Sequence, residues 1–294
     1  MEDAPTELRA ELGALVHGIE AQLRLLRDFG LRQLARRRTE VELPAMAVDD
    51  PAVRPPPAAR PPAGRRARPQ AHLFARPEPD RWPVEPGPPA GPPAPLPVEQ
   101  AAEQLEVLRR RIGDCTRCPL SSGRRSIVFG EGRANARLVL VGEGPGFEED
   151  RSGRPFVGPA GQLLDRILAA MGLDRQQIYI CNVVKCRPPS NRTPSDEEMH
   201  TCGQFLDAQL AILRPRHILC LGGTAARYLL GTDRSMAKLR GRFFAHPASG
   251  ARIMPTYHPA YLLRNEAAKR PVWQDVQRVM AEMQPGPQSE ETSS

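Results

Sequence analysis

No run of eighteen or more apolar residues occurs in this 294-residue chain, so no segment reads as a membrane-spanning helix. The first residues, Met1-Glu2-Asp3-Ala4-Pro5, lack the basic start and apolar centre of a secretory leader, which points to a cytoplasmic protein. In a reducing compartment the six cysteines are not expected to pair, leaving metal ligation or simple burial. Lysine is nearly missing: only Lys185, Lys238 and Lys269 occur, and arginine carries the remaining positive charge. Large apolar side chains are scarce between Pro44 and Pro97, where 18 of the 33 prolines fall. Such a stretch cannot bury enough surface to offset the entropy of ordering it, which excludes a folded domain there.

What is present divides the chain into four parts. Residues 1–43 carry an amphipathic helix over about 6–38, with Leu8, Leu12, Leu15, Ile19, Leu23 and Leu26 at three- and four-residue steps. That helix suits self-association or docking on a protein partner. Residues 44–97 form the proline-rich tether, 98–284 the folded domain and 285–294 a polar tail. The net charge is +7. Residues 1–97 hold 14 arginines against 13 acids (+1), and residues 98–294 hold 27 basic residues against 21 acids (+6). A basic excess on the folded part suits a polyanion without selecting which one.

The folded part alternates between two periodicities. Apolar runs at 137–141, 178–184, 217–221 and 252–256 read as buried strands. Helical spacing follows at 160–171, 195–213, 224–230 and 271–283, the second behind Ser195 and Glu198 at capping-box distance. This pattern predicts a three-layer α/β/α fold around a mainly parallel four-stranded sheet. Ligands of such sheets gather at the carboxyl ends of the strands. The unusual polar segments all follow strands.

Those segments hold the chemistry. In Gly142-Glu143-Gly144-Pro145-Gly146 most positions lack a Cβ, so backbone can approach a ligand closely; alone, the turn also fits a phosphate cradle. Asn182 offers both an amide donor and an acceptor. His258, before Pro259, can donate to a developing anion, a contact worth about 3–4 kcal/mol in a transition state. Phe156 supplies a flat face on which a base can stack. Around these segments lie Cys115-x2-Cys118 and Cys186-x15-Cys202. Four thiolates hold either zinc or an iron–sulfur cluster, and spacing alone does not decide between them. Cys181 and Cys220 sit inside strands and read as small buried apolar residues.

Taken together, the 142–146 turn, Gly153-Arg154-Pro155-Phe156-Val157-Gly158, Asn182-Val183-Val184-Lys185-Cys186-Arg187-Pro188-Pro189, Lys238-Leu239-Arg240-Gly241-Arg242 and His258-Pro259-Ala260-Tyr261-Leu262-Leu263-Arg264 resemble the type-4 uracil-DNA glycosylases, the iron–sulfur-containing class. The resemblance runs from about Cys115 to Val279 and leaves out residues 1–97. It implies a monofunctional hydrolase of base excision repair that flips uracil out of DNA and leaves an abasic site. The uracil site it implies comprises Gly142, Glu143, Gly144, Phe156, Asn182 and His258. Of these, Glu143 and His258 are catalytic: His258 faces the uracil O2, and Glu143 attends the water and the sugar's positive charge. Asn182 reads O4 and N3–H.

The same resemblance implies one structural [4Fe–4S] cluster on Cys115, Cys118, Cys186 and Cys202, zinc being the alternative. It also implies a minor-groove loop at Leu262, Leu263 and Arg264, while Lys185, Arg187, Arg192, Arg240 and Arg242 are candidate phosphate contacts by their charge. A monomeric catalytic domain working on uracil-containing DNA at the nucleoid follows. A competing reading is a protein that captures uracil-DNA without turnover. One relative of the family does so covalently through a histidine in a Lys-Arg-Arg-Ile-His loop. This chain has Lys238-Leu239-Arg240-Gly241-Arg242 there, with no histidine, which disfavours trapping.

Overall fold

The structure, a computed structural model, describes residues 93–284. The expectations for the N-terminal helix, for all but the end of the tether and for the tail lie outside those residues. In chain order the elements are α1 (Val98–Ile112), β1 (Glu131–Gly132), β2 (Leu138–Gly142), α2 (Phe147–Ser152), α3 (Pro159–Ala170), β3 (Tyr179–Asn182) and α4 (Asp196–Leu213). There follow β4 (His217–Leu221), α5 (Gly223–Leu230), α6 (Met236–Leu239), β5 (Phe244–Ala245), β6 (Arg252–Thr256), α7 (Pro259–Leu262) and α8 (Lys269–Met283).

The four strands expected from apolar runs pair in parallel in the order β3-β2-β4-β6. The sheet has six strands rather than four, because β1 and β5 add short antiparallel edges. Each edge strand is two residues long, too short to leave a period in the sequence. The central strands are buried at every position but Arg252 and largely apolar, because both faces are covered. Their side chains alternate between two cores. Val139, Val141, Ile218 and Cys220 pack with Leu105 and Leu108 of α1, Leu206 and Leu210 of α4, and Ala225 of α5. Leu138, Leu140, Leu219 and Leu221 pack with Leu164 of α3, Leu262 of α7, and Trp273 and Val276 of α8. Helices on both faces of one sheet give the three-layer fold. Among the described residues no helix is long and apolar enough to cross a membrane.

Local chemistry sets the ends of these elements. Ser195 and Glu198 close a capping box on α4, with Ser195 N–H donating to Glu198 Oε2 at 2.8 Å and Glu198 N–H to Ser195 Oγ at 3.2 Å. Pro159 and Pro259 occupy first-turn positions of α3 and α7, where the missing N–H costs nothing. The helix α1 was not anticipated, although its buried Ala101, Leu105, Leu108 and Ile112 fall at helical steps.

Candidate active site

The carboxyl ends of β2, β3, β4 and β6 meet at a pocket of about 570 Å³ lined by Glu143, Phe156, Asn182, Leu221, Gly222 and His258, among others. It is open to solvent past Phe147, Tyr261, Leu263 and Arg264. β2 delivers the glycine-rich turn, β3 ends on Asn182, and β6 leads into His258 and α7.

Asn182 is 2% exposed, and its Oδ1 is buried without a hydrogen-bond partner. A buried acceptor left bare is costly, of order 1–3 kcal/mol, unless a ligand completes it. Close approach requires Gly142: a Cβ there would lie 2.6 Å from Phe156 Cζ and would also strike Asn182 Oδ1. Phe156 has φ 52°, a left-handed conformation unusual for a bulky side chain. Its loop is pinned by Arg175, which donates to Pro155 O at 2.9 Å and also to Phe156 O. From the other side, Glu149 Oε1 accepts from Val157 N and Gly158 N, both at 2.9 Å, and its Oε2 accepts from Gly146 N at 3.1 Å. One carboxylate therefore ties the Gly146 turn to the Phe156 loop.

The imidazole of His258 stacks beside the Phe156 ring, centroids 5.4 Å apart at 30°. Its Nδ1 accepts from Ala260 N at 3.1 Å. Burial pushes its pKa down to about 4, with Glu149 opposing and Arg264 adding to that shift. At neutral pH the ring is therefore uncharged, and with Nδ1 accepting, the proton sits on Nε2. Glu143 lines the same pocket and accepts a hydrogen bond from Thr224 Oγ1 in the first turn of α5.

Two residues were missed by sequence reasoning. Glu149 stood in plain view at capping-box spacing from Gly146. Thr224 carried no motif beyond following Gly222-Gly223.

Three expected DNA contacts are corrected. Lys185 is 1% exposed: its Nζ donates to Asn182 O at 2.8 Å and to Gln209 Oε1 at 2.6 Å, so it faces the core and reaches no phosphate. Leu262 is fully buried in the α3–α8 core and cannot wedge into a groove, whereas the adjacent Leu263 is 47% exposed. Arg240 is committed to buried Asp275, at 2.8 and 3.0 Å, and to Pro271 O. Arg187, Arg242 and Arg264 retain solvent exposure, while Arg192 at the pocket edge is paired with Glu198 at 2.6 Å.

Away from the pocket, Cys115, Cys118, Cys186 and Cys202 line one small cavity. Donors approach three of these sulfurs: Arg117 Nη1 to Cys115 at 3.1 Å, Arg124 Nη1 to Cys186 at 3.6 Å, and Lys185 N to Cys202 at 3.2 Å. Burial raises the pKa of Cys118 and Cys202 and pushes that of Cys186 up to about 11. Among the described residues, no three or more His, Cys, Asp or Glu side chains close on a point where one metal ion would sit. Cys181 and Cys220 are buried within strands.

Comparison with known proteins sets this geometry in context. The model of the uracil DNA glycosylase superfamily matches residues 129–277. A type-4 uracil-DNA glycosylase of Thermotoga maritima is 48% identical over 179 residues, covering 60% of this chain and 93% of the relative. One from Pyrobaculum aerophilum is 41% identical over 171 residues, 56% of this chain and 87% of the relative. A type-5 uracil-DNA glycosylase of the same organism is 31% identical over 183 residues, 52% of this chain and 80% of the relative.

Proposed function

This chain belongs to the uracil-DNA glycosylase superfamily and is a hydrolase that excises uracil in DNA repair; from that premise we propose how its own residues do so. The observation that carries the reading is the bare Asn182 Oδ1, buried beside Phe156 and His258 in a pocket open to solvent. A uracil flipped from DNA stacks on Phe156. Its N3–H donates to Asn182 Oδ1, and the Asn182 amide N–H donates to O4. Cytosine presents the reverse at both positions, with no proton on N3 and an amino group at C4, so it leaves two unmatched pairs.

As the C1′–N1 bond breaks, its electron pair goes to the uracil ring and positive charge develops on the sugar. The Nε2–H of His258 donates to O2, where the negative charge gathers. A neutral imidazole suits this role, since it donates without surrendering its proton. Glu143, oriented by Thr224, offsets the sugar's charge and aligns the water. The water's hydroxyl adds to C1′ and its proton leaves with the uracil. Arg187, Arg264 and exposed Leu263 face the DNA at the mouth, and such a substrate sets the enzyme to work at the nucleoid.

The four cysteines line one small cavity, and the resemblance to the iron–sulfur-containing class favours a [4Fe–4S] cluster there over zinc. When bound, the cluster supplies a rigid four-point cross-link. Nearby donors from Arg117, Arg124 and the Lys185 backbone offset the charge of thiolates that burial alone would keep protonated.

The test is release of uracil from a uracil-containing oligonucleotide, with His258→Ala lowering the single-turnover rate by about 10²-fold or more. An undiminished rate in that variant would remove the imidazole from the mechanism.

A further inference from the structure

Among the described residues the exposed large apolar side chains are Val107, Phe147, Tyr261 and Leu263, and all but Val107 rim the pocket. Leu263 and Tyr261 belong to the α7 side, which the sequence already marked. Phe147 does not. It opens α2, follows the glycine-rich turn, and is 46% exposed.

Two guanidinium groups accompany its ring. Arg187 Cζ lies 5.2 Å from the centroid and Arg125 Cζ 5.7 Å. The Arg187 side chain and the Arg125 main chain are both anchored. Arg187 Nε donates to Asn191 Oδ1 at 2.8 Å, and the Arg125 backbone N–H donates to buried Asp150 of α2 at 2.8 Å. A half-exposed apolar ring with two cations close by, at the entrance of a base pocket, matches a strand that offers π-faces and phosphates in alternation. The strand β4 separates β2, which leads to Phe147, from β6, which leads to Leu263, so their ends stand about 10 Å apart. The two apolar groups thus arise from different strand ends around one opening.

We propose that Phe147 is a stacking platform for the nucleotide next to the flipped uracil, with Arg125 and Arg187 on the phosphates of that nucleotide. This rests on the reading of the pocket as a uracil site in DNA. It assigns a second base contact outside the pocket, made to a base that is not excised.

The test uses the full chain and a labelled, uracil-free single-stranded oligonucleotide, with binding followed by fluorescence anisotropy across a salt series. Phe147→Ala is expected to weaken binding about tenfold at fixed salt, with the slope of log K against log[salt] unchanged. Phe147→Trp is expected to keep the native affinity. Arg187→Gln is expected to lower the slope by about 0.7, the loss of one phosphate contact on a single strand. Native affinity in Phe147→Ala would overturn the platform, as would a loss accompanied by a reduced salt slope. Because the probe holds no uracil, either result leaves the excision reading intact. Failure of the native protein to release uracil from a matched oligonucleotide would instead sink that reading, with the platform still measured by the binding series.

Discussion

At the scale of single residues, the pocket pairs two side chains whose ordinary behaviour has been suppressed. Asn182 keeps a carbonyl oxygen bare in a buried place, and His258 has lost its usual titration near neutrality. The histidine's shift has a sign that can be checked. Its folded pKa of about 4 lies below the ordinary value of about 6.5. Between those pH values the unfolded chain binds a proton that the folded chain refuses, so stability falls as pH drops through that window. The native protein should therefore lose more thermal stability between pH 7 and pH 4.5 than His258→Ala does. Over the same window kcat/KM should show no acid limb from this ring near pH 6.5. A rate that falls through pH 6–7 in the native enzyme, together with equal acid sensitivity of the two proteins in melting curves, would contradict a neutral His258. That Asn182 and His258 follow strands and so stand at one end of the sheet was legible from the sequence, and both line the same pocket. The inward turn of Lys185 was not. A lysine after two valines reads as the surface end of a strand, but residues 181–186 are all buried beneath α4, where Gln209 receives the ammonium group.

Between residues and the whole lie the loops that the strands deliver, and here one carboxylate does the joining. Glu149 sits in the first turn of α2, accepts from Gly146 N, and also accepts from Val157 N and from Gly158 N at the start of α3. The positive ends of two helix dipoles thus share a single anion. Phe156, with its left-handed backbone, sits between that anchor and Arg175, which hold its neighbours. Glu149→Gln preserves the shape but offers an NH2 group where a backbone N–H needs an acceptor. It should lower stability by about 1–3 kcal/mol and the excision rate by about tenfold or more through misplacement of the Phe156 ring. Urea unfolding and single-turnover kinetics would measure both. An unchanged rate would mean that the Phe156 loop keeps its place without the anion. The sequence announced long elements better than these joints. The parallel strands appeared as apolar runs and α4 by its capping box, whereas β1 and β5 exist only by pairing with strands distant in sequence. Leu262 and Leu263 show the same limit: neighbours on a helix face different ways, and only packing says which one points to the core.

Across the whole described domain, a cluster held by the four cysteines, as proposed, would join parts that the sheet alone does not. Cys115 and Cys118 follow α1, Cys186 follows β3, and Cys202 lies on α4. The only regular structure between α1 and β1 is one short turn at Pro119–Ser122, so this stretch has little backbone pairing to hold it. Cross-linking Cys118 to Cys186 closes a loop of nearly seventy residues, which chain entropy values at about 4 kcal/mol. Such a clamp would also reach the pocket. The Lys185 N–H donates to Cys202 Sγ, and the same lysine's Nζ donates to the carbonyl of Asn182, so displacing Cys202 should loosen Asn182, the proposed base reader. Purified protein should be brown, with about four irons per chain. Stripping the iron, or changing Cys186→Ser, should bleach it and lower its melting temperature. Amide exchange should then speed up over residues 98–128 and 182–202, while α8, which packs on the opposite face of the sheet, stays protected. Uracil release should fall with it. A colourless, zinc-loaded protein of full activity, or an iron-free one whose exchange pattern matches the native protein, would show that the sheet holds Asn182 without the clamp.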